Sequence, residues 1–217
     1  MTTQVLAIVA SKGGVMKSTL ATALAVRAVK DGLRVALLDA DPQESLTMWW
    51  GRRGEPDNPQ VFSMEDVVGD VAQLSTEGWD WIIIDGPPSN FDRIGPIVKV
   101  SDFCLIPVRV SAFDLDAVST VVSQCTKLSK PFAFVLTQTD PKWAKFTDSA
   151  SKALKMRGPV FAEQIRFRLA YASSPTIGKT GPESSDARQA AHARAEIDAL
   201  WVAIKKRMGA KLAKVRA

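Results

Sequence analysis

The chain has 217 residues, of which 46% are hydrophobic, and it carries a net charge of +5 with two cysteines and one histidine. This length suffices for one α/β domain with a buried core, and a second full domain is not expected. Two distant cysteines and a lone histidine do not form a disulfide framework or a zinc site, so we expect a reduced, cytoplasmic protein. No stretch approaches the roughly 18 apolar residues of a membrane span, and the N-terminus predicts a strand rather than a signal peptide.

Apolar runs alternate with helical patterns along the chain. The runs are rich in Val and Ile, which is typical of buried parallel strands. This alternation predicts an α/β fold: a doubly wound, mostly parallel sheet with helices on both faces, in one domain spanning 1–217. The predicted strands are Val5–Ala10, Arg34–Asp39, Trp81–Asp85, Phe103–Val108, Phe132–Thr137 and Val160–Ile165. The predicted helices are Lys17–Lys30, Met64–Leu74, Leu115–Leu128, Phe146–Met156 and a long basic helix from about 187 to 217, which follows a predicted loop at Ser173–Asp186.

The stretch "SKGGVMKST", Ser11 to Thr19, lies between the first strand and the first helix. Free backbone N–H groups and the helix dipole meet there, which favours phosphate binding. The common phosphate-loop pattern places glycine where this chain has Ser11 and Met16, whereas its glycines are Gly13 and Gly14. The alternative interpretation is an ordinary glycine-rich turn with surface lysines.

Three carboxylates follow predicted strands. Asp39 and Asp41 lie in "LLDADPQ", and Asp85 ends "WIIIDGPP". Carboxylates at the carboxyl ends of parallel strands lie where such sheets bind ligands, and they can hold Mg²⁺ or orient a water molecule. The alternative for Asp39 is a structural role as the cap of a helix.

These three motifs, in this order, resemble the ParA/MinD family of deviant-Walker P-loop ATPases. Family members carry an extra lysine followed by two glycines, matched here by Lys12, Gly13 and Gly14. The "DADPQ" segment is similar to the ParA branch, and the start of the chain at the phosphate-loop strand suggests the small type without an N-terminal helix-turn-helix domain. The resemblance covers roughly residues 4 to 137 by motif.

The resemblance implies ATP and Mg²⁺ as cofactors. It assigns catalytic roles to Lys12, which reaches the nucleotide of a partner subunit, to Lys17, the ordinary Walker lysine, and to Asp41, which positions the hydrolytic water. The implied magnesium ligands are Ser18, Asp39 and Asp85. The implied ATP-binding residues are Lys12, Gly13, Gly14, Val15, Met16, Lys17, Ser18 and Thr19, with Thr137 and Gln138 at the adenine, although a plain polar loop at the last two is equally compatible with the sequence.

Met16 departs from the family, which has glycine directly before the Walker lysine. If the backbone there has a positive φ, a side chain costs about 1 kcal/mol or more. We therefore expect ATP binding with slow hydrolysis.

The predicted C-terminal helix has an apolar stripe and a basic surface. Residues 188–217 contain eight basic and two acidic side chains, a net charge of +6, so the rest of the chain sums to −1. The stripe of Ile197, Trp201, Ile204, Met208, Leu212 and Val215 most simply packs on the core, although a membrane interface or nonspecific DNA are alternatives for the helix as a whole. The DNA-binding candidates are Arg188, Arg194, Lys205, Lys206, Arg207, Lys211, Lys214 and Arg216, with Arg166 and Arg168 as extensions of the patch.

From the resemblance we expect an ATP-switched partition or positioning ATPase associated with the nucleoid. It would form an ATP-dependent homodimer, bind DNA, and release it when a ParB-like or cargo adaptor stimulates hydrolysis. The alternatives are a MinD-like membrane-associated regulator and a metabolic P-loop enzyme.

Overall fold

A computed structural model describes residues 3–87 and 91–215, without the side chains of 91–93, 112, 113 and 210–215. Its sheet has seven parallel strands in the order β3-β2-β4-β1-β5-β6-β7. The strands are β1 Gln4–Ile8, β2 Val35–Asp39, β3 Gln60–Ser63, β4 Trp81–Asp85, β5 Phe103–Arg109, β6 Phe132–Thr139 and β7 Val160–Arg166. The six predicted strands are confirmed within two residues at each end, and the predicted fold class is confirmed.

Helices connect the strands. They are α1 Lys17–Lys30, α2 Ser45–Arg53, α3 Val67–Leu74, α4 Phe91–Val100, α5 Ala112–Ala117, α6 Ser119–Lys127, α7 Ala144–Lys155, α8 Leu169–Ser173 and α9 Ala187–Val215. The prediction of one helix over Leu115–Leu128 was wrong, because that region contains the end of α5 and the whole of α6. Strand β3 and helices α2, α4 and α8 were not predicted. The first two and α8 are short, and Pro96 interrupts the helical pattern of α4.

Hydrophobic clusters cover both faces of the sheet. Alternate residues of each strand belong to opposite clusters, as the strand period of two requires; Leu6 and Ile8 face one cluster, and Val5 and Ala7 face the other. The first cluster contains residues of α1, α2, α8 and α9, and the second contains residues of α3, α4, α6 and α7.

Helix α9 packs on the first face of the sheet. Its residues Ile197, Trp201, Ile204 and Met208 are buried, which confirms the prediction that the apolar stripe packs on the core. The side chains of Leu212 and Val215 lie outside those described. Among the described residues, no helix is both long enough and apolar enough to cross a bilayer.

The end of α1 anchors α9 through Asp31. Its carboxylate accepts hydrogen bonds from the Trp201 indole N–H at 2.9 Å and from the Lys205 ammonium at 2.7 Å, and it also pairs with Arg27. The hydrogen bond from Lys205, and then those from Trp201 and Arg27, hold the pKa of Asp31 well below its ordinary value. The carboxylate is therefore expected to contribute to the free energy of unfolding.

We predict that Asp31→Ala lowers the free energy of unfolding at pH 7 by about 1–3 kcal/mol, because the buried indole N–H of Trp201 loses its acceptor. Since the folded pKa of Asp31 is depressed, its contribution is full above the unfolded carboxyl pKa of about 4 and is lost as the pH falls below it. Urea unfolding at pH 7 and pH 3 measures both effects. Asp57→Ala, which removes an exposed carboxylate, is the control; an equal loss in both variants would contradict the prediction.

Candidate functional site

The carboxyl ends of three adjacent strands bring the predicted motifs together. Strand β4 pairs with β1 and β2, so that Asp85 lies beside Ile8 on one side and beside Asp39 on the other. The segment between β1 and α1 contains the predicted phosphate loop and continues directly from Ile8. The topology therefore places the loop and two of the three acidic residues at one edge of the sheet.

The phosphate loop adopts the left-handed backbone conformation at two positions. Gly14 has a φ of +71° and Met16 a φ of +73°. For Met16, which directly precedes α1, this conformation is the one that glycine adopts without cost. The condition stated for backbone strain at Met16, a positive φ, is thus met, and its half-buried side chain packs against the first hydrophobic cluster.

Lys17 is a buried cation at the start of α1. Its side chain is 6% exposed, and its ammonium donates to the backbone carbonyl of Lys12 at 3.3 Å. Burial lowers the pKa of Lys17, while the charges of Asp85 and Asp41 act in the opposite direction. An anion bound at the loop would add a further favourable partner for this charge.

Asp85 is a buried carboxylate without a hydrogen-bond donor of ordinary geometry in the described part of the chain. Burial raises its pKa to about 7, although the nearby Ser18 hydroxyl and the charge of Lys17 lower it. Such a group is costly unless a cation pairs with it. The unsatisfied oxygens therefore fit a bound divalent metal ion.

Asp39 has a structural role that the sequence left open. Its Oδ2 accepts hydrogen bonds from the backbone N–H groups of Leu46 and Thr47, each at 3.0 Å, and its Oδ1 accepts the N–H of Asp41 at 3.3 Å. Its carboxylate thus caps the first turn of α2, which is the alternative noted for it from the sequence. With these acceptors engaged, a magnesium role for Asp39 would run through a water molecule.

A cavity of about 460 Å³ opens above the phosphate loop. Asp41 is half-buried at its wall and accepts a hydrogen bond from the N–H of Gln43. Arg168 and Tyr171 at the carboxyl-terminal side of β7 were not predicted as cavity residues. The cavity is lined by Gly13, Gly14, Met16, Lys17, Ser18, Thr19, Asp41, Gln43, Ser45, Gln138, Phe167, Arg168, Tyr171 and Ala172.

The two predicted adenine-binding residues have different positions. Gln138 lines the cavity with a φ of +54°, and its amide donates to the carbonyl of Gly14 at 2.8 Å. Thr137 is fully buried and does not line it; its hydroxyl donates to the carbonyl of Val15 at 3.3 Å. The interpretation of Thr137 as an adenine contact is therefore corrected. Thr137 supports the phosphate loop through its hydrogen bond to Val15, and both residues are buried.

Lys12 and Lys17 differ in exposure. Lys12 is exposed and does not line the cavity, whereas Lys17 is buried at its floor. Within the described ranges no cluster of three potential metal-ligating side chains occurs. A magnesium ion at this site would therefore be shared between Asp85, Ser18 and the phosphates of a nucleotide, as is common for Mg²⁺.

The basic residues of α9 are not equivalent. Arg188, Lys206 and Arg207 are exposed, whereas Lys205 pairs with Asp31. Arg194 is exposed and donates to the carbonyl of Pro182. The side chains of Lys211 and Lys214, and all of Arg216, lie outside the described residues.

Of the two proposed extensions of this patch, Arg166 is exposed. The assignment of Arg168 to the DNA-binding surface was wrong, because its guanidinium pairs with Glu196 and lines the cavity, with only 13% of its side chain exposed.

Comparison with known proteins agrees with this geometry. Residues 6–180 match the family model described as the CobQ/CobB/MinD/ParA nucleotide binding domain. The chain is 30% identical to "Maintenance of carboxysome distribution protein A" of Halothiobacillus neapolitanus over 80% of this chain and 84% of that protein. It is 24% identical to the chromosome-partitioning ATPase Soj of Thermus thermophilus over 87% of this chain and 91% of that protein.

Solved structures show the same fold. The MinD cell division protein of Aquifex aeolicus superposes with a TM-score of 0.73 at 17% identity, covering 90% of this chain and 94% of that one. The ATP complex of a Cyanothece McdA variant superposes with a TM-score of 0.71 at 18% identity, covering 92% and 97%. From the family match over 6–180 and the phosphate loop at residues 11–19, the chain belongs to the CobQ/CobB/MinD/ParA nucleotide-binding domain family.

Proposed function

We propose that the protein is a ParA-type ATPase that dimerises on binding ATP, binds DNA without sequence preference and positions a cargo. The observation that carries this proposal is the buried carboxylate of Asp85, which lies near Ser18 and Lys17 and has no hydrogen-bond donor of ordinary geometry among the described residues. A carboxylate, a hydroxyl and a cation at the amino end of a helix are the groups that bind a magnesium nucleotide.

In this proposal, different residues of the cavity bind the phosphates, hold the metal ion and orient the attacking water. The backbone N–H groups of residues 13–19 and the ammonium of Lys17 hold the phosphates. Bound Mg²⁺, held by Asp85 and Ser18, would supply charge stabilisation on the phosphate oxygens. Asp41, at the cavity wall, orients the attacking water with its carboxylate.

Lys12 is the residue that links ATP to dimerisation in this proposal. Its exposure, and its absence from the wall of its own cavity, support an action on the nucleotide of a second subunit. A cation donated across the interface makes the γ-phosphate charge part of the dimer contact, so hydrolysis weakens the dimer.

The exposed part of α9 is the proposed DNA-binding surface. Arg188, Lys206 and Arg207 can neutralise phosphates without reading bases. Burial of Ile197, Trp201, Ile204 and Met208 disfavours membrane binding through this part of the apolar stripe. The relatives include a carboxysome distribution protein and a chromosome-partitioning ATPase, which supports a large assembly as the cargo.

The test of this proposal is DNA retention with ATP, with ADP and without nucleotide. We expect retention with ATP that falls steeply as salt rises. The double variant Lys206→Ala, Arg207→Ala should weaken retention by about tenfold and reduce the salt slope by about two. The control, Lys99→Ala with Lys127→Ala, removes two exposed charges from α4 and α6 on the opposite face of the sheet. Equal weakening in both double variants, or retention without ATP, would contradict the assignment.

We predict that Asp85→Asn lowers Mg²⁺-dependent ATP turnover by about 100-fold or more, because the buried metal-binding charge is lost. In metal-free protein the same change should raise the free energy of unfolding at pH 8. The folded pKa of about 7 exceeds the unfolded value of 3.8, so the carboxylate reduces stability as the pH rises between these values.

Asp41→Asn is the matched control for Asp85→Asn. It should lose turnover without gaining stability, because Asp41 is half-buried and already accepts a hydrogen bond. Urea unfolding in EDTA, together with phosphate release, measures both variants. If metal-free Asp85→Asn were less stable than the wild type at pH 8, the metal-site assignment would be wrong.

We predict that Met16→Gly raises the rate of ATP turnover, because it relieves about 1 kcal/mol of backbone strain at φ +73° and opens the phosphate loop. Met16→Ala keeps the strained Cβ but removes the long side chain, and it therefore separates backbone strain from bulk. Phosphate release under saturating ATP gives the three rates. Equal rates for wild type and Met16→Gly would refute the idea that Met16 slows hydrolysis.

A further inference from the structure

One wall of the nucleotide cavity lies far from the phosphate loop in sequence. It consists of Phe167, Arg168, Tyr171 and Ala172, which follow β7, and it is completed by Gln138 at the end of β6. None of the motifs in the first 90 residues predicts it. Its side chains offer an exposed aromatic ring, a buried phenol and a guanidinium.

Glu196 of α9 holds the guanidinium of Arg168 in place. Arg168 Nε donates to Glu196 Oε1 at 2.9 Å, and only 13% and 12% of the two side chains are exposed. The other carboxylate oxygen, Oε2, accepts from the Tyr171 hydroxyl at 3.0 Å. Burial, and then the charge of Glu196, raise the pKa of Tyr171 far above its ordinary value, so this hydroxyl remains a donor.

The residues that line the cavity indicate where the nucleoside of a bound nucleotide would lie. The triphosphate belongs at residues 13–19, where the helix dipole and Lys17 attract it. The side lined by Asp41 and Gln43 is next to the phosphates and is suited to the attacking water. The base and ribose therefore extend towards the wall formed by residues 167–172.

A guanidinium can only donate hydrogen bonds, and Glu196 engages just some of its five N–H groups. We propose that Arg168, positioned by Glu196, donates a hydrogen bond to an acceptor atom on the base or the ribose of the bound nucleotide. This inference rests on the proposed function, because it requires that the nucleotide occupies this cavity. Glu196 is then a positioning residue that fixes the direction of the guanidinium.

The test compares binding of Mg–ATP with binding of inorganic tripolyphosphate, which lacks a nucleoside. By titration calorimetry we expect Arg168→Ala to bind ATP about tenfold more weakly, as for a hydrogen bond from a charged group. Its affinity for tripolyphosphate should match that of the wild type. The control is Arg166→Ala, which removes an exposed arginine of β7 that does not line the cavity and should change neither affinity.

The remaining variants test positioning and identify the contacted atom. Glu196→Gln should weaken ATP binding less than Arg168→Ala and leave tripolyphosphate unchanged, and Arg168→Lys should recover part of the lost affinity. If the contact is to the ribose 2′ oxygen, Arg168→Ala will lose affinity for ATP but not for 2′-deoxy-ATP; if it is to the base or another ribose oxygen, affinity for both will fall.

Two results with the Arg168→Ala variant would overturn the inference while leaving the proposed function intact. One is that Arg168→Ala binds ATP with wild-type affinity. The other is that Arg168→Ala loses as much affinity for tripolyphosphate as for ATP, which would indicate a structural role only. If Arg168→Ala does not fold, the same comparison of ATP affinity with tripolyphosphate affinity is made with Arg168→Lys and Glu196→Gln. A loss of affinity for ATP alone in these variants supports the inference, and an equal loss for both ligands or none contradicts it. A wild-type protein that binds tripolyphosphate but not ATP would contradict the proposed function as well as this inference.

Discussion

The complete burial of the Asp85 carboxylate is the constraint on which the site depends. Asp85 ends the strand between β1 and β2, and its oxygens find no donor among the described residues. Burial of this carboxylate opposes folding as the pH rises towards neutrality, because Ser18 and Lys17 offset only part of the cost of burying its charge. A bound cation removes that cost. The same buried charge that lowers stability would therefore contribute free energy to binding a cation at this site.

The phosphate loop is held in a strained shape by its neighbours. Gly14 and Met16 have positive φ angles, and residues of β6 fix the intervening backbone: Thr137 donates to Val15 and Gln138 donates to Gly14. Strain of this kind persists only where surrounding structure determines the backbone. The N–H groups of the loop are thus arranged before any phosphate arrives, so that binding does not have to order them.

Helix α9 contributes residues to the hydrophobic core, to the support of the cavity wall and to the basic surface. Trp201 is anchored to Asp31 at the end of α1, and Glu196 holds Arg168 at the cavity wall. Other cations of α9, such as Lys206, are exposed. A single helix therefore contributes to stability, to the shape of the nucleotide site and to the surface proposed for DNA.

The sequence alone determined the parallel sheet and the phosphate loop, because buried strands and a strand–loop–helix motif are local patterns of adjacent residues. It also identified Met16 as the position where a positive φ would strain the backbone, because glycine is missing there. Tertiary structure decided what depends on distant partners. Only the fold shows that Thr137 supports the loop instead of lining the cavity and that Arg168 belongs to the cavity, and it decides between the two roles that the sequence left open for Asp39. These roles arise from contacts between segments up to about 120 residues apart, and no local pattern records which segments the sheet order brings together.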